Sequence, residues 1–198
     1  MAFSGKQAEV DSTMKYASFW QRLVANLIDI LVFAPVMVIQ AWVEPVSKGG
    51  ALVLAVLFPC LRTGYVIYGH GRFGQTIGKW IMRIRVTRLA GECIGWREAW
   101  LRSSVDVCAS TIGTIGWVIA LATIADSAYY GVAWSRRLAN LVALEPFWSI
   151  WARKVLEIWF WSEVVTMLLN RRRRALHDFI AGTVVVCEGT AEGPKPAV

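Results

Sequence analysis

The most constraining feature of the sequence is a long apolar run, residues 19–42, that carries three polar residues. About 20 consecutive apolar residues are enough for a helix to cross the hydrocarbon core of a bilayer. Arg22, Asn26 and Asp29 are spaced so that they share one face of such a helix. Because a charged side chain at the centre of a membrane helix costs about 2.5 to 3.5 kcal/mol, this face is expected to meet other helices, water or an opposite charge instead of lipid.

The composition indicates an integral membrane protein. The 198 residues are 56% hydrophobic and 18% charged, and their mean hydropathy is +0.47. Soluble domains are usually about 45 to 50% apolar and about 25% charged. The net charge of +7 would suggest nucleic acid as a partner of a soluble chain, but here the basic residues flank apolar runs, where they set membrane orientation. Nucleic acid is therefore not an expected partner.

Four apolar stretches are predicted to be transmembrane helices. Their predicted limits are 20–42, 51–69, 104–130 and 147–169. The third contains Gly113 and Gly116, and the stretch 131–146 is predicted to be an amphipathic helix on the outer surface. Residues 1–18 are predicted to be a polar cytoplasmic tail, and residues 188–198 are predicted to be a flexible tail.

Lys and Arg residues are concentrated on one side of these predicted spans. Most of them lie in residues 1–22, in the loop 70–103 and after residue 170. Since cytoplasmic loops carry an excess of Lys and Arg, both termini and this loop are expected in the cytoplasm. The consecutive arginines from Arg171 to Arg174 are expected to contact anionic lipid headgroups.

Three charged residues within the predicted spans fall at one depth. Asp29, Arg62 and Glu163 each lie about eight residues from the inner end of their helix, which is roughly 12 Å above the cytoplasmic boundary. This predicts a buried polar layer in which Arg62 pairs with Asp29, close to Glu163 and Asn26. Two carboxylates facing one arginine leave one charge uncompensated, and such a group tends to bind a proton or a cation. Two other interpretations stay open: the layer only holds helices together, or Arg62 extends to the inner interface.

The loop after the second predicted span begins with a glycine-rich segment, residues 71–79. Its spacing is not that of a nucleotide-binding phosphate loop, because no Lys-Ser or Lys-Thr pair opens a helix after it. Residues 82–88 alternate between apolar and basic side chains, which predicts a strand, and the β-branched run 183–187 is expected to pair with it. Residues 96–101 are predicted to form a short amphipathic helix on the inner membrane surface.

Pairing of these two strands would bring His177 and Asp178 beside the turn at residues 75–79. Adjacent His and Asp residues do not readily act as a base and its orienting group, and no nucleophile is evident, so the chain is not expected to be an enzyme. Asp178 is instead predicted to cap a helix or to pair with Arg22. The four cysteines share no metal-ligand spacing, so neither a metal nor a cofactor is expected.

Four pieces of the sequence together resemble the RDD family of bacterial membrane proteins, which is named for one arginine and two aspartates. The pieces are QRLVANLID, the loop GQTIGKWIMRIRV, REAWLR and the ending RRRRALHDFIAGTVVV. By this resemblance the naming residues are Arg22, Asp29 and Asp178. The cytoplasmic motif that goes with them comprises Gly74, Gln75, Thr76, Gly78, Lys79, Arg102 and His177.

The resemblance implies a bacterial inner-membrane protein. Some members of the family have been linked to sodium–proton antiport, and others are accessory membrane components. Two functions are therefore expected. The first is an oligomeric transporter in which Asp29 and Glu163 exchange protons with a small cation. The alternative is a non-catalytic scaffold that binds partner helices through its Trp-rich fourth span and through Gly113 and Gly116.

The expected fold is that of an all-α polytopic membrane protein. A single membrane domain, residues 19–187, would contain about four transmembrane helices. A small cytoplasmic β-element would be formed by residues near 82–88 and 183–187.

Overall fold

The computed structural model describes residues 14–188, which are mostly helical. The predicted terminal tails fall largely outside these residues. In the described part of the chain, the helices are α1 (Phe19–Val32), α2 (Ala34–Val43), α3 (Lys48–Phe73), α4 (Ile77–Ile81), α5 (Trp96–Thr123), α6 (Asp126–Tyr129), α7 (Trp134–Leu144), α8 (Phe147–Leu169) and α9 (Leu176–Ile180), and the strands are β1 (Ile84–Arg88) and β2 (Thr183–Cys187).

Two helices, α3 and α5, are long and apolar enough to cross a membrane. Helices α1 and α2 make a third candidate if they count as one span, but they are bent by 47° at the break between them. The break at Phe33 precedes Pro35, which has no backbone N–H to continue the hydrogen-bond ladder. The structure therefore supports two or three spans, and the predicted four are not confirmed. Helix α8 occupies the fourth predicted span, but it contains Arg153, Lys154, Glu157 and Glu163.

The third predicted span begins and ends earlier than expected. Helix α5 already begins at Trp96, so the predicted surface helix at residues 96–101 is its first part and not a separate element. These first turns bury Glu98 and Arg102, which explains why their charges do not place the stretch on a surface. The helix ends at Thr123. The predicted turn at residues 75–79 is also partly helical, because α4 begins within it.

Contacts among the described residues define two compact units. Unit 1 contains the described parts of Met1–Leu31, Tyr65–Ser104 and Phe160–Val198, and unit 2 contains Val32–Gly64 and Val105–Trp159. Each unit has a buried core of its own. The core of unit 2 is apolar and consists of Ala51, Ala55, Ala120, Leu121, Ile124, Tyr129 and Leu141.

The sheet of unit 1 has the strand pairing that the sequence predicts. Strands β1 and β2 are antiparallel, with Ile84 opposite Cys187 and Val86 opposite Val185. A third segment contacts β2, since the backbone N–H of Ala17 donates to the carbonyl of Val185 at 2.9 Å. Because a two-stranded sheet is marginally stable by itself, this added segment helps to hold the sheet and the start of α1 together.

Candidate functional site: a buried ionic cluster

Asp178 lies at the centre of a buried ionic cluster in unit 1. Its Oδ2 accepts a hydrogen bond from Nη1 of Arg22 at 2.7 Å, and its Oδ1 accepts one from Nη1 of Arg102. The backbone N–H of Ala175, the N-cap residue of α9, donates to Oδ2 at 3.0 Å. The structure thus contains both interactions that the sequence predicts for Asp178, the pair with Arg22 and the helix cap. It adds Arg102, which the sequence predicted to reach lipid headgroups and not Asp178.

The short helix α9 and the turn that follows it bring this carboxylate close to β2. The turn contains Gly182, whose φ of 66° lies in the left-handed region that glycine adopts without strain. Directly after it, the hydroxyl of Thr183 accepts a hydrogen bond from Arg102. Arg174 donates to the carbonyl oxygens of Thr183 at 3.0 Å and of Asp178 at 2.8 Å. Helices α1, α5 and α9 and strand β2 are therefore joined at one carboxylate.

The cluster around Asp178 holds more guanidinium groups than carboxylates. Burial by itself raises the pKa of Asp178, but the charges of Arg102, His177 and Arg22 outweigh this effect and hold the pKa well below its ordinary value. Asp178 is therefore an ionised carboxylate at neutral pH.

Asp29 has three hydrogen-bond donors around it. Its Oδ1 accepts from the hydroxyl of Tyr65 at 2.5 Å and from the backbone N–H of Gly78 at 2.8 Å. Its Oδ2 accepts from the hydroxyl of Thr76 at 2.6 Å. A Cβ at Gly78 would clash with the carbonyl oxygen of Ala25, so only glycine lets α4 approach α1 this closely. Asp29 thereby caps the first turn of α4 from a different helix.

Within unit 1, two members of the predicted polar layer, Asp29 and Glu163, have partners that the sequence did not predict; the pairing of Asp29 with Arg62 stays a prediction. Both oxygens of Asp29 accept hydrogen bonds from unit 1, and the side chain of Asn26 is exposed. Glu163 pairs instead with Nδ1 of His177. The prediction placed these residues by depth, but depth does not determine the direction in which a side chain points around its helix, and the loop after α3 supplies closer donors.

His177 connects two of these carboxylates. Its Nδ1 contacts Glu163, and its Nε2 lies 3.6 Å from Oδ1 of Asp178. The imidazole is therefore an additional positive or hydrogen-bonding group at the edge of the cluster. Neither contact was predicted from the sequence, which placed His177 beside the turn at residues 75–79 and did not favour it as a catalytic partner of Asp178.

Lys79 and His70 form a buried contact that sequence reasoning missed. Nζ of Lys79 lies 2.6 Å from Nε2 of His70, and the two residues are 9% and 4% exposed. Burial and the charge of Arg102 lower the pKa of Lys79 to about 7, against the opposing effect of the two aspartates, Asp29 and Asp178. The only signal in the sequence was that Lys79 ends the glycine-rich segment and His70 directly precedes it.

The remaining motif residues connect α3 to β1. Gly74 has a φ of 70°, donates its N–H to the carbonyl of His70 at 2.9 Å and accepts from the N–H of Val86 at 2.8 Å. The backbone N–H of Gln75 donates to the carbonyl of Gly69 at 3.2 Å, and its side chain is buried. These residues fix the loop that brings Thr76 to Asp29 and Lys79 to His70.

The glycines of α5 serve contacts within unit 2. A Cβ at Gly116 would clash with the side chain of Ser149, and one at Gly113 would touch the side chain of Arg153. The prediction that these glycines bind partner helices is therefore wrong for Gly116, because α8 of the same chain already occupies its surface. Residues 14–188 also contain no group of three His, Cys, Asp or Glu side chains arranged to hold a metal ion.

Comparison with known proteins agrees with the resemblance seen in the sequence. A family model described as RDD family matches residues 16–182. This range covers most of the chain and includes Arg22, Asp29 and Asp178. No curated protein and no solved structure matches the chain.

Proposed function

Because the chain belongs to the RDD family, we propose that it is a proton-coupled cation transporter of the antiport type. Family membership and the apolar helices α3 and α5 support its assignment as a membrane protein. The proposal further includes the bacterial inner membrane, both termini in the cytoplasm, and a homo-oligomer or a complex with a membrane partner. Its arginine-rich segments would then lie at anionic lipid headgroups.

The observation that carries the proposal is the set of oxygen atoms at Asp29. The carboxylate lies within hydrogen-bond distance of the hydroxyls of Tyr65 and Thr76, and the carbonyl oxygen of Ala25 approaches the same place beside Gly78. Small hard cations take carboxylate, carbonyl and similar oxygen atoms as ligands. Asp29 is only half-buried, so a cation could reach the carboxylate and replace the hydroxyl hydrogen bonds.

The charge of the cluster gives a reason for exchange. Arg22 and Arg102 lie in the same buried region as Asp178, and an ion in a region of low dielectric constant is poorly screened. An additional cation on Asp29 is then tolerated only if another positive charge leaves. A proton is the charge that buried ionisable groups release most readily. In the simplest form of the proposal, the cation binds at Asp29 and the proton leaves a neighbouring buried group.

Cation-driven proton flux in proteoliposomes tests this function. Na⁺, Li⁺ or K⁺ is added outside vesicles that contain a pH-sensitive dye, with wild type, D29N and E163Q compared. The matched control is E157Q, because Glu157 lies on the same helix as Glu163 but its side chain is 57% exposed. We expect proton flux with at least one cation in wild type and in E157Q, and loss of flux in D29N.

Absence of flux from folded, inserted wild-type protein with every cation would overturn the transport proposal. The scaffold function would then be favoured by a specific observation, the exposed aromatic side chains of α8, which include Trp151 and Trp161. Aromatic side chains of this kind are common at contacts with partner proteins and at membrane interfaces.

A further inference from the structure

We infer that Lys79 and His70 together bind one exchangeable proton and that this pair, instead of a carboxylate, is the proton-carrying site of the chain. The first part follows from the contacts of the two side chains. The second part rests on the proposed antiport function, because a proton site becomes a carrier only if cation binding displaces its proton.

The contact itself restricts the protonation state of the pair. Nζ of Lys79 and Nε2 of His70 are 2.6 Å apart, which is within hydrogen-bond distance. A lysine ammonium can only donate, and a doubly protonated imidazole can only donate from both nitrogens. A hydrogen bond therefore requires that one of the two groups is unprotonated. The pair can share one proton in this contact but cannot hold two.

The surroundings of the pair disfavour a second positive charge. Both side chains are buried, so water screens their repulsion only weakly. The charged and titratable groups that act on the pair from other elements are Arg22 and Asp29 on α1, Arg102 on α5, and His177 and Asp178 on α9. The two arginines oppose protonation and the two aspartates favour it. One proton is thus tolerated, and a second is expelled.

The proton of this pair is exchangeable near neutral pH. Burial and Arg102 lower the pKa of Lys79 to about 7. An unperturbed lysine, with a pKa of about 10.4, would keep its proton at every physiological pH. Asp178, by contrast, has a pKa held well below its ordinary value and stays ionised through the same range.

Helix α4 links the pair to the proposed cation site. Gly78, the neighbour of Lys79, donates its backbone N–H to Oδ1 of Asp29 at 2.8 Å. The negative charge of Asp29 helps Lys79 to keep its proton. A cation bound to Asp29 cancels that charge and therefore favours release of the proton. Reciprocally, protonation of the pair weakens cation binding.

Proton uptake measured by titration of the purified protein tests the pair directly. Wild type, K79M and K154M are titrated between about pH 5 and 9, the range in which an isolated lysine does not change charge. Lys154 is the control, because its side chain is 59% exposed and pairs only with Glu157 in an exposed ion pair. We expect wild type and K154M to bind one proton more per chain than K79M, with a midpoint near 7. Equal uptake by all three proteins would overturn the inference.

A second variant covers the case in which K79M does not fold. H70Q keeps the lysine and removes the imidazole, so Lys79 then titrates without its basic neighbour. We expect the midpoint of the proton step to move in H70Q. An unchanged midpoint in folded H70Q would show that His70 has no part in the site and would overturn the shared-proton inference.

The flux assay separates failure of the pair from failure of the antiport. Suppose that K79M loses the proton step in the titration but the wild-type protein shows no cation-driven flux. Proton binding by Lys79 and His70 is then supported, and their role as a carrier is rejected. If flux persists in K79M with the pH profile of wild type, the antiport function is supported. The role of Lys79 and His70 as its proton carrier is then rejected. If both proposals hold, K79M loses flux, whereas K154M and E157Q retain it.

Discussion

Unit 1 encloses Asp178 between Arg22 and Arg102, whereas unit 2 encloses Leu121, Ile124 and Tyr129. In a bilayer, the hydrophobic effect contributes little to helix association, because lipid tails are as apolar as the side chains. Unit 1 combines an apolar core, which includes Ile84, Val86 and Val185, with directional, charge-assisted contacts at Asp178. Unit 2 is held together by close packing of many small contacts, such as that between Gly116 and Ser149.

Buried charge is present in both units, but its partners differ. In unit 2 the buried Glu145 pairs with Arg153, whose side chain is 43% exposed. In unit 1 the arginines that bind Asp178 are as buried as the aspartate itself. When its counter-charge is lost, an exposed arginine can be solvated by water, whereas a buried arginine cannot. Loss of Asp178 should therefore cost more than loss of Glu145, because Arg22 and Arg102 stay buried whereas Arg153 can turn to water.

The largest expected effect is that of D178N. Removing the charge leaves Arg22 and Arg102 buried without a carboxylate, which should lower the free energy of unfolding by about 3 to 5 kcal/mol. Chemical unfolding in micelles, followed by tryptophan fluorescence, measures the change. The control in unit 2 is D126N, because the Asp126 side chain is 78% exposed and should contribute within about 0.5 kcal/mol. Equal losses in both variants would contradict the contrast between the units.

A smaller difference is expected between two glutamates of α8. Glu163 belongs to unit 1 and pairs with His177, so E163Q should cost about 1.5 to 3 kcal/mol, the range for a hydrogen bond to a charged group. Glu157 belongs to unit 2 and forms an exposed pair with Lys154, so E157Q should cost about 0 to 1 kcal/mol. The same unfolding assay applies, and a larger loss in E157Q would reverse the predicted order.

Substitution of one glycine in each unit tests how closely the helices pack there. G78A and G116A should each cost about 1 to 3 kcal/mol, because the added methyl group has no room. In G116A the obstacle is the side chain of Ser149, so a second substitution, S149G, should restore stability. In G78A the obstacle is the backbone oxygen of Ala25, which no side-chain substitution removes.

The control for these glycine variants is G64A. A Cβ at Gly64 in helix α3 meets no atom within 4 Å. Alanine has the higher helix propensity, so G64A should be neutral or stabilising by up to about 1 kcal/mol. A loss in G64A as large as in G78A would show that the clash with Ala25 is not the cause.

The smallest expected effect is the acid sensitivity that Asp178 contributes. Its pKa is lower in the folded than in the unfolded chain, so the unfolded chain binds the proton first as the pH falls. The contribution of ionised Asp178 to the free energy of unfolding is fully present above about pH 5, and it is lost as the pH falls below about 4. Between about pH 6 and pH 3 the loss should be about 1 kcal/mol. Unfolding of wild type should show this loss relative to D178N, and parallel pH profiles would contradict it.

Part of the candidate site could be predicted from the sequence, because some of its features depend on short stretches of residues or on two stretches that pair. Alternation in residues 82–88 and the β-branched run 183–187 predicted a pair of strands, and this pairing in turn brought Asp178 close to the loop after α3. The pairing of Arg22 with Asp178 followed from their common inner location. The bend at Phe33 also has a local cause in Pro35, although it was not predicted from it.

The sequence by itself determined the membrane class and the family, since apolar run length and motif spacing are properties of the chain alone. Only the tertiary structure decided which atoms meet. Asp29 binds Tyr65, Thr76 and Gly78, and Lys79 binds His70. These contacts depend on the direction of each side chain around its helix and on the close approach of α4 to α1, and neither quantity is encoded in hydropathy or in depth along a span.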